Sequence, residues 1–185
     1  MKKFVVIDGN AILHRAYHAL PPLTNKDGIV VNAVYGFCSM LLKVMADLKP
    51  DYLAVAFDRA APTFRQELYV GYQAHRPKMA DDLSPQIGMV HQVLEKMNVA
   101  VFEIDGYEAD DVIGTIAHRA GKRHEVIIVS GDRDMLQLVN GNVKVYAPIV
   151  GLTQTILYDA KKVLEKYGIK PAQIIDFKSL IGDPS

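Results

Sequence analysis

Short apolar runs alternate along the chain with longer stretches whose apolar residues recur every three or four positions. Phe4–Ile7, Tyr52–Phe57, Val99–Phe102, Val126–Val129 and Val143–Tyr146 are short and continuous, and read as buried strands. Between them Ala11–Ala19, Ala33–Leu48, Ser84–Met97, Ala109–Ala120 and Met135–Val139 read as amphipathic helices. After Pro148 the pattern changes: Thr155–Tyr158 reads as a last strand and Ala160–Tyr167 as a helix. Pro171–Leu180 is expected to be another helix, opened by proline in its first turn. This alternation predicts an α/β fold with a mostly parallel central sheet and helices on both faces. The least regular stretch, Pro62 to Pro85, is basic, contains tyrosines and is bounded by prolines. A long irregular segment inside a compact domain is more often functional than accidental.

Length and composition narrow the class. A chain of 185 residues can bury one sizeable core and is short for two independent domains. Half its residues are hydrophobic and 23% are charged, the balance of a soluble globular protein. No apolar run approaches the ~20 residues that cross a bilayer, so no membrane is expected as a partner. The N-terminal apolar run meets Asp8 after four residues, which suits a first strand better than a secretory signal. A single cysteine, Cys38, excludes a disulfide framework and a cysteine metal cluster. The expected compartment is cytoplasmic.

The formal net charge is zero, with 21 basic and 21 acidic residues, which by itself speaks against a polyanion as partner. The distribution changes that picture. Arg59, Arg65, Arg76 and Lys78 fall in one segment with a single acid, Glu67, whereas acids gather from Asp105 to Asp111. A chain that separates its charges in this way can total zero and still bind nucleic acid.

Ligands of open parallel sheets sit beyond the carboxyl ends of the strands, and the acids fall there. Asp8 follows the first strand and Asp58 the second, while Asp132 and Asp134 follow the strand Val126–Val129 after a Ser-Gly turn. Glu108, Asp110 and Asp111 follow the third strand and open a helix. Any one of these could be a turn residue, a helix cap or a partner of the helix dipole. Together they would repel one another at a half-buried edge unless protonated or neutralised by cations. Hard divalent ions, Mg²⁺ or Mn²⁺, suit a set of oxygen donors, and two of them can serve phosphodiester hydrolysis. Aspartate phosphotransferases also place acids at strand ends. A haloacid-type enzyme, however, needs Asp-x-Asp where this chain has Asp8-Gly9-Asn10, and the paired Asp132 and Asp134 do not fit a receiver domain.

Several segments resemble a known family. They are Phe4-Val-Val-Ile-Asp-Gly-Asn10 with Leu13-His-Arg-Ala-Tyr17, Val34-Tyr-Gly-Phe37, Ala56-Phe-Asp58, Pro62-Thr-Phe-Arg65, Tyr72 to Arg76, Gly106-Tyr-Glu-Ala-Asp-Asp111, Gly131-Asp-Arg-Asp134, Lys166-Tyr-Gly168 and Gly182-Asp183. In this order they resemble the 5′→3′ exonuclease (flap endonuclease-like) domains found at the N-terminus of bacterial DNA polymerase I. The resemblance implies a PIN-like, resolvase-like nuclease fold over 1–170, with a helical arch or clamp at 60–82. Residues 171–185 would be the truncated start of a helix-hairpin-helix-type DNA-binding region. It further implies two Mg²⁺ or Mn²⁺ ions. Asp8, Asp58, Glu108, Asp110 and Asp111 would surround one, and Asp132, Asp134 and Asp183 would serve the other, with Asp111 near both. Arg76 would contact the scissile phosphate with Arg15 close by, and Tyr72 would stack on a base. Arg65 and Gln73 complete the expected nucleic-acid contacts, although Arg65, like Arg59, reads equally well as a solvated charge or a partner of Asp58. Tyr69 is expected to pack on a neighbouring helix.

The implied substrate is DNA with a 5′ flap or single-stranded 5′ end, cleaved in replication and repair by a monomer, and the resemblance leaves room for a polymerase domain C-terminal in the same polypeptide. Two departures bear on activity. Gln73 stands where the family has a lysine, and an amide cannot stabilise growing negative charge as an ammonium does. The chain also stops at Ser185 before the family's next metal aspartate, which predicts a fragment with a weakened second metal site. A non-catalytic or weakly active nucleic-acid-binding fragment of the same fold is the alternative reading.

Overall fold

The apolar runs assemble into one six-stranded sheet. The strands are β1 (Lys3–Asp8), β2 (Tyr52–Ala56), β3 (Ala100–Phe102), β4 (Glu125–Val129), β5 (Val143–Val150) and β6 (Gln154–Tyr158), in the spatial order β3-β2-β1-β4-β5-β6. All neighbours pair parallel except β6, which returns antiparallel to β5. The computed structural model describes residues 1–69, 71–72 and 78–182.

The central strands are apolar between their ends because both of their faces are covered. Val5 and Ile7 of β1, Val55 of β2, and Ile127 and Val129 of β4 face one layer. That layer holds α1 (Gly9–Ala19), α2 (Asn32–Leu48) and α4 (Ser84–Lys96), which contribute Ile12, Phe37, Leu41, Val90 and Leu94. The alternate residues Val6, Ala56, Val126 and Ile128 face the other layer. There they meet Val112 and Ile113 of α5 (Ala109–Ala120), Val163 of α6 (Ala160–Tyr167) and Ile174, the first residue of α7 (Ile174–Ile181).

The structure departs from the sequence pattern at four places. Met135–Val139 is not an α-helix: Met135–Leu138 belong to a 3-10 turn over Arg133–Leu138, with Val139 extended just after it. The turn is begun by Asp132, whose carboxylate accepts from the Asp134 amide at 2.8 Å. Pro171–Gln173 is likewise a 3-10 turn, so α7 begins at Ile174. β5 runs through Pro148 to Val150, beyond the last residue that β4 pairs, Tyr146, so no parallel neighbour needs the proline's missing donor. Within 60–82 the described helix is α3 (Phe64–Leu68), whose start is fixed by the Thr63 amide donating to Gln66 Oε1 at 3.1 Å. Tyr69, at its end, is 69% exposed rather than packed on a helix, and its ring covers Gly71.

Candidate active site

The chain order reverses between β1 and β4, the two central strands, and that switch point is where an open sheet forms its crevice. Asp8 ends β1 there. It is buried, it caps α1 by accepting from the Ala11 amide at 2.9 Å, and its other oxygen accepts from the Ser130 hydroxyl at 2.7 Å. The following glycine is dictated by packing, since a Cβ on Gly9 would stand 2.3 Å from the Phe57 ring. Ser130, fully buried just beyond β4, spans the switch point: its Oγ also accepts from the Asp132 amide at 2.9 Å.

Asp58 is held from two sides. Its amide donates to Asn10 Oδ1 at 3.0 Å, and its carboxylate accepts from the Ala109 amide at 2.7 Å, at the first turn of α5. Asp110 lies in that same turn. Burial, followed by the charges of Asp8, Asp132, Asp58 and Glu108, raises its carboxyl to about 7. Burial also raises Asp8 to about 6, with Asp58 and Asp132 adding to the rise while the Ala11 and Ser130 hydrogen bonds oppose it. Four chain segments thus bring carboxylates within electrostatic reach of one another.

The neighbouring acids have cationic partners. Arg65 of α3 donates both guanidinium branches to Asp111 at 2.7 Å each and lies 3.3 Å from Glu108, which holds the Asp111 carboxyl below its ordinary range. Of the readings open for Arg65, the structure favours a neutralising partner, but for Asp111 and Glu108 rather than Asp58. Arg59 pairs instead with Asp105, at 2.9 Å. Tyr72 donates to Glu108 at 3.1 Å, and Lys178 of α7 forms an ion pair with Asp134. Arg15 donates to the Ile149 and Gly151 carbonyls at 2.9 and 2.8 Å, beside Gly131. Gln73, Arg76 and Asp183 lie outside the described residues. A cleft of about 580 Å³ opens between α5 and the 133–138 turn, lined by Arg65, Tyr72, Glu108, Asp110, Asp111 and Asp134 among others.

Among the described residues no three acidic, histidine or cysteine side chains make a closed ligand set. The donors nevertheless fit a hard dication. The acids at the strand ends are oxygen ligands, two of them raised by burial and further by their neighbours' charges, and Mg²⁺ keeps several waters and takes only one or two carboxylates directly. Sequence reasoning missed Asn10, Ser130 and Lys178. Ser130 carried the one available signal, its place between a strand end and Gly131-Asp132.

The family model described as 5′-3′ exonuclease, N-terminal resolvase-like domain, matches residues 3–168. The chain belongs to this family. It is 43% identical over 186 residues to DNA polymerase I of Caldicellulosiruptor bescii, covering 99% of this chain and 22% of that protein. It is 38% identical over 184 residues to a 5′-3′ exonuclease of Aquifex aeolicus, covering 99% of this chain and 62% of the relative. The chain therefore spans about a fifth of the polymerase it matches and less than two thirds of the exonuclease. Among solved structures it is similar to the D15 flap endonuclease of bacteriophage T5, in a pseudo-enzyme-product complex with DNA and metal ions. The TM-score is 0.72 at 18% identity, over 98% of this chain and 67% of that one. That likeness shows the shared fold. No described helix is long and apolar enough to cross a membrane.

Proposed function

We propose that this chain is the divalent-metal-dependent 5′ nuclease domain of a longer protein, hydrolysing phosphodiester bonds of DNA at 5′ flaps or single-stranded 5′ ends. The observation that carries the reading is the convergence of Asp8, Asp58, Asp110 and Asp132 from four chain segments, where burial and then the charges of the other acids raise the Asp110 carboxyl to about 7. Family membership supports the same reaction class. Two Mg²⁺ or Mn²⁺ ions, when bound, would supply an activated water and charge stabilisation for the leaving oxygen. Asp8, Asp58, Asp110 and Asp132 would hold them, with Glu108, Asp111, Asp134 and Asp183 around them.

The residues of the chain then divide the remaining work. Ser130 fixes the Asp8 carboxylate and the Asp132 backbone together, and Asn10 and Ala109 fix Asp58, so the acids are oriented before any ligand arrives. Arg76 would meet the scissile phosphate, with Gln73 hydrogen-bonding a phosphate oxygen and Arg15 nearby. Tyr72, from the 60–82 segment that would act as the arch, would meet the single strand, with Arg65 holding that segment to Asp111 and Glu108. Stacking on tyrosine within a basic segment suits single-stranded DNA. Residues 1–170 form the nuclease domain in this reading, and 171–185 begin a duplex-gripping region. The domain acts as a monomer in the cytoplasm, in replication and repair, with a polymerase domain in the same polypeptide.

The test is cleavage of 5′-labelled flap DNA. Asp110→Ala and Asp132→Ala are expected to lower the Mg²⁺-dependent rate by roughly 10²-fold or more with an unchanged circular dichroism spectrum. Undiminished cleavage by either variant overturns the assignment. Binding without cleavage by both the native chain and Gln73→Lys overturns it in favour of a non-catalytic nucleic-acid-binding module.

A further inference from the structure

On the exposed face of α1, outside the acidic edge, two histidines stand one turn apart. His14 and His18 are both exposed, and their Nε2 atoms face each other at 3.2 Å, with ring centroids 4.4 Å apart and planes inclined at 63°. Residues at i and i+4 share a helix face, which brings the rings into reach of each other. We infer that His14 and His18 chelate a borderline transition-metal ion, of the Zn²⁺, Cu²⁺ or Ni²⁺ class, at a site distinct from the one formed by the acids.

The span between the nitrogens fits such an ion. Two imidazole nitrogens each about 2.0–2.1 Å from Zn²⁺ at a tetrahedral angle stand roughly 3.3–3.4 Å apart, close to the 3.2 Å found here. Little rearrangement is therefore needed. The His18 ring is supported from its side by the Tyr17 ring, with centroids 5.1 Å apart at 84°, and Tyr17 is itself tied to Asp82 by a hydrogen bond of 2.8 Å. α1 is fixed at its start by the Asp8 cap, so the backbone carrying both rings is already helical. Solvent completes the coordination of an ion held by two exposed side chains.

Ligand chemistry separates this site from the acidic one. Imidazole suits Zn²⁺, Cu²⁺ and Ni²⁺, whereas carboxylates and water suit Mg²⁺ and Mn²⁺. An excess of Mg²⁺ should therefore occupy the acids without displacing an ion from the histidines. The inference does not depend on the nuclease reading, because neither His14 nor His18 contributes to the carboxylate set.

The same approach of two nitrogens could be a hydrogen bond between neutral rings, and the experiment distinguishes the two. Cu²⁺ is titrated into the protein in excess Mg²⁺ and followed by electron paramagnetic resonance, alongside His18→Ala and, as a control on another exposed histidine, His118→Ala. Alanine is the best helix former, so the substitution at position 18 leaves α1 intact. The native chain and His118→Ala are expected to bind Cu²⁺ with a spectrum of nitrogen coordination. His18→Ala is expected to bind it roughly tenfold more weakly or worse. Zn²⁺ is expected to raise the Tm of the native chain and not that of His18→Ala. Undiminished Cu²⁺ binding by His18→Ala, a spectrum without nitrogen coordination, or an equal loss in His118→Ala overturns the inference.

Discussion

At Asp110 the chemistry and the stability of the chain pull in opposite directions. Its carboxyl is raised to about 7 and that of Asp8 to about 6, so the metal-free folded state binds protons that the unfolded chain would release. The resulting contribution to stability is complete below the unfolded carboxyl value of about 4. It is lost as pH rises through the folded values of about 6 and 7. Replacing Asp110 by asparagine removes its share of that penalty along with the metal ligand. Asp110→Asn is therefore expected to have a higher Tm than the metal-free native chain above pH 7 and a flatter Tm profile from about pH 4 to 7. Calorimetry across that range checks it, and parallel profiles for the two proteins count against the electrostatic account. The acids themselves were legible in the sequence because each follows a strand or opens a helix. Ser130, Asn10 and Lys178 were not. A serine or asparagine has no distinctive spacing, and Lys178 meets Asp134 from 44 positions away only once α7 has folded back.

Among the elements, α3 and α5 show how a short helix can be fixed by another. α3 has five residues, and none of them is buried, so packing of an apolar face does not account for it. What holds it is the Arg65 fork on Asp111, the Phe64 amide donating to the Gly106 carbonyl at 3.0 Å, and the Phe64 ring against Tyr107. Lysine cannot present two parallel donors to a carboxylate. Arg65→Lys is expected to lower the unfolding free energy by about 1–2 kcal/mol, measured by urea denaturation, and to hasten proteolysis within residues 60–82. Equal proteolysis rates would show that the fork does not anchor the segment. The sequence concealed α3 for the same reason that it needs this anchor, since five residues with no buried side chain carry no apolar period. Longer elements were legible because one face or both are buried. The 3-10 turn at Arg133–Leu138 differed from the expected helix because Asp132 starts the turn with its own side chain, a local preference that apolar spacing does not record.

Across the molecule, every central strand serves two apolar layers at once, so neither layer can loosen without exposing the other face of the same strands. Ile128 is fully buried in the layer shared with α5, and Ile128→Ala is expected to cost about 2–5 kcal/mol in a single urea transition. Two separated transitions would mean that the layers unfold independently. The same sheet order has a consequence for synthesis. β1 is the first strand made and lies at the centre, yet one of its two partners, β4, begins at Glu125, more than a hundred positions later. At ~5–20 residues per second, the nascent chain carries one open edge of this central strand for roughly 5–25 s. Over that interval β1 depends on β2, the early helices and whatever attends the ribosome exit to keep it from pairing with a neighbouring chain.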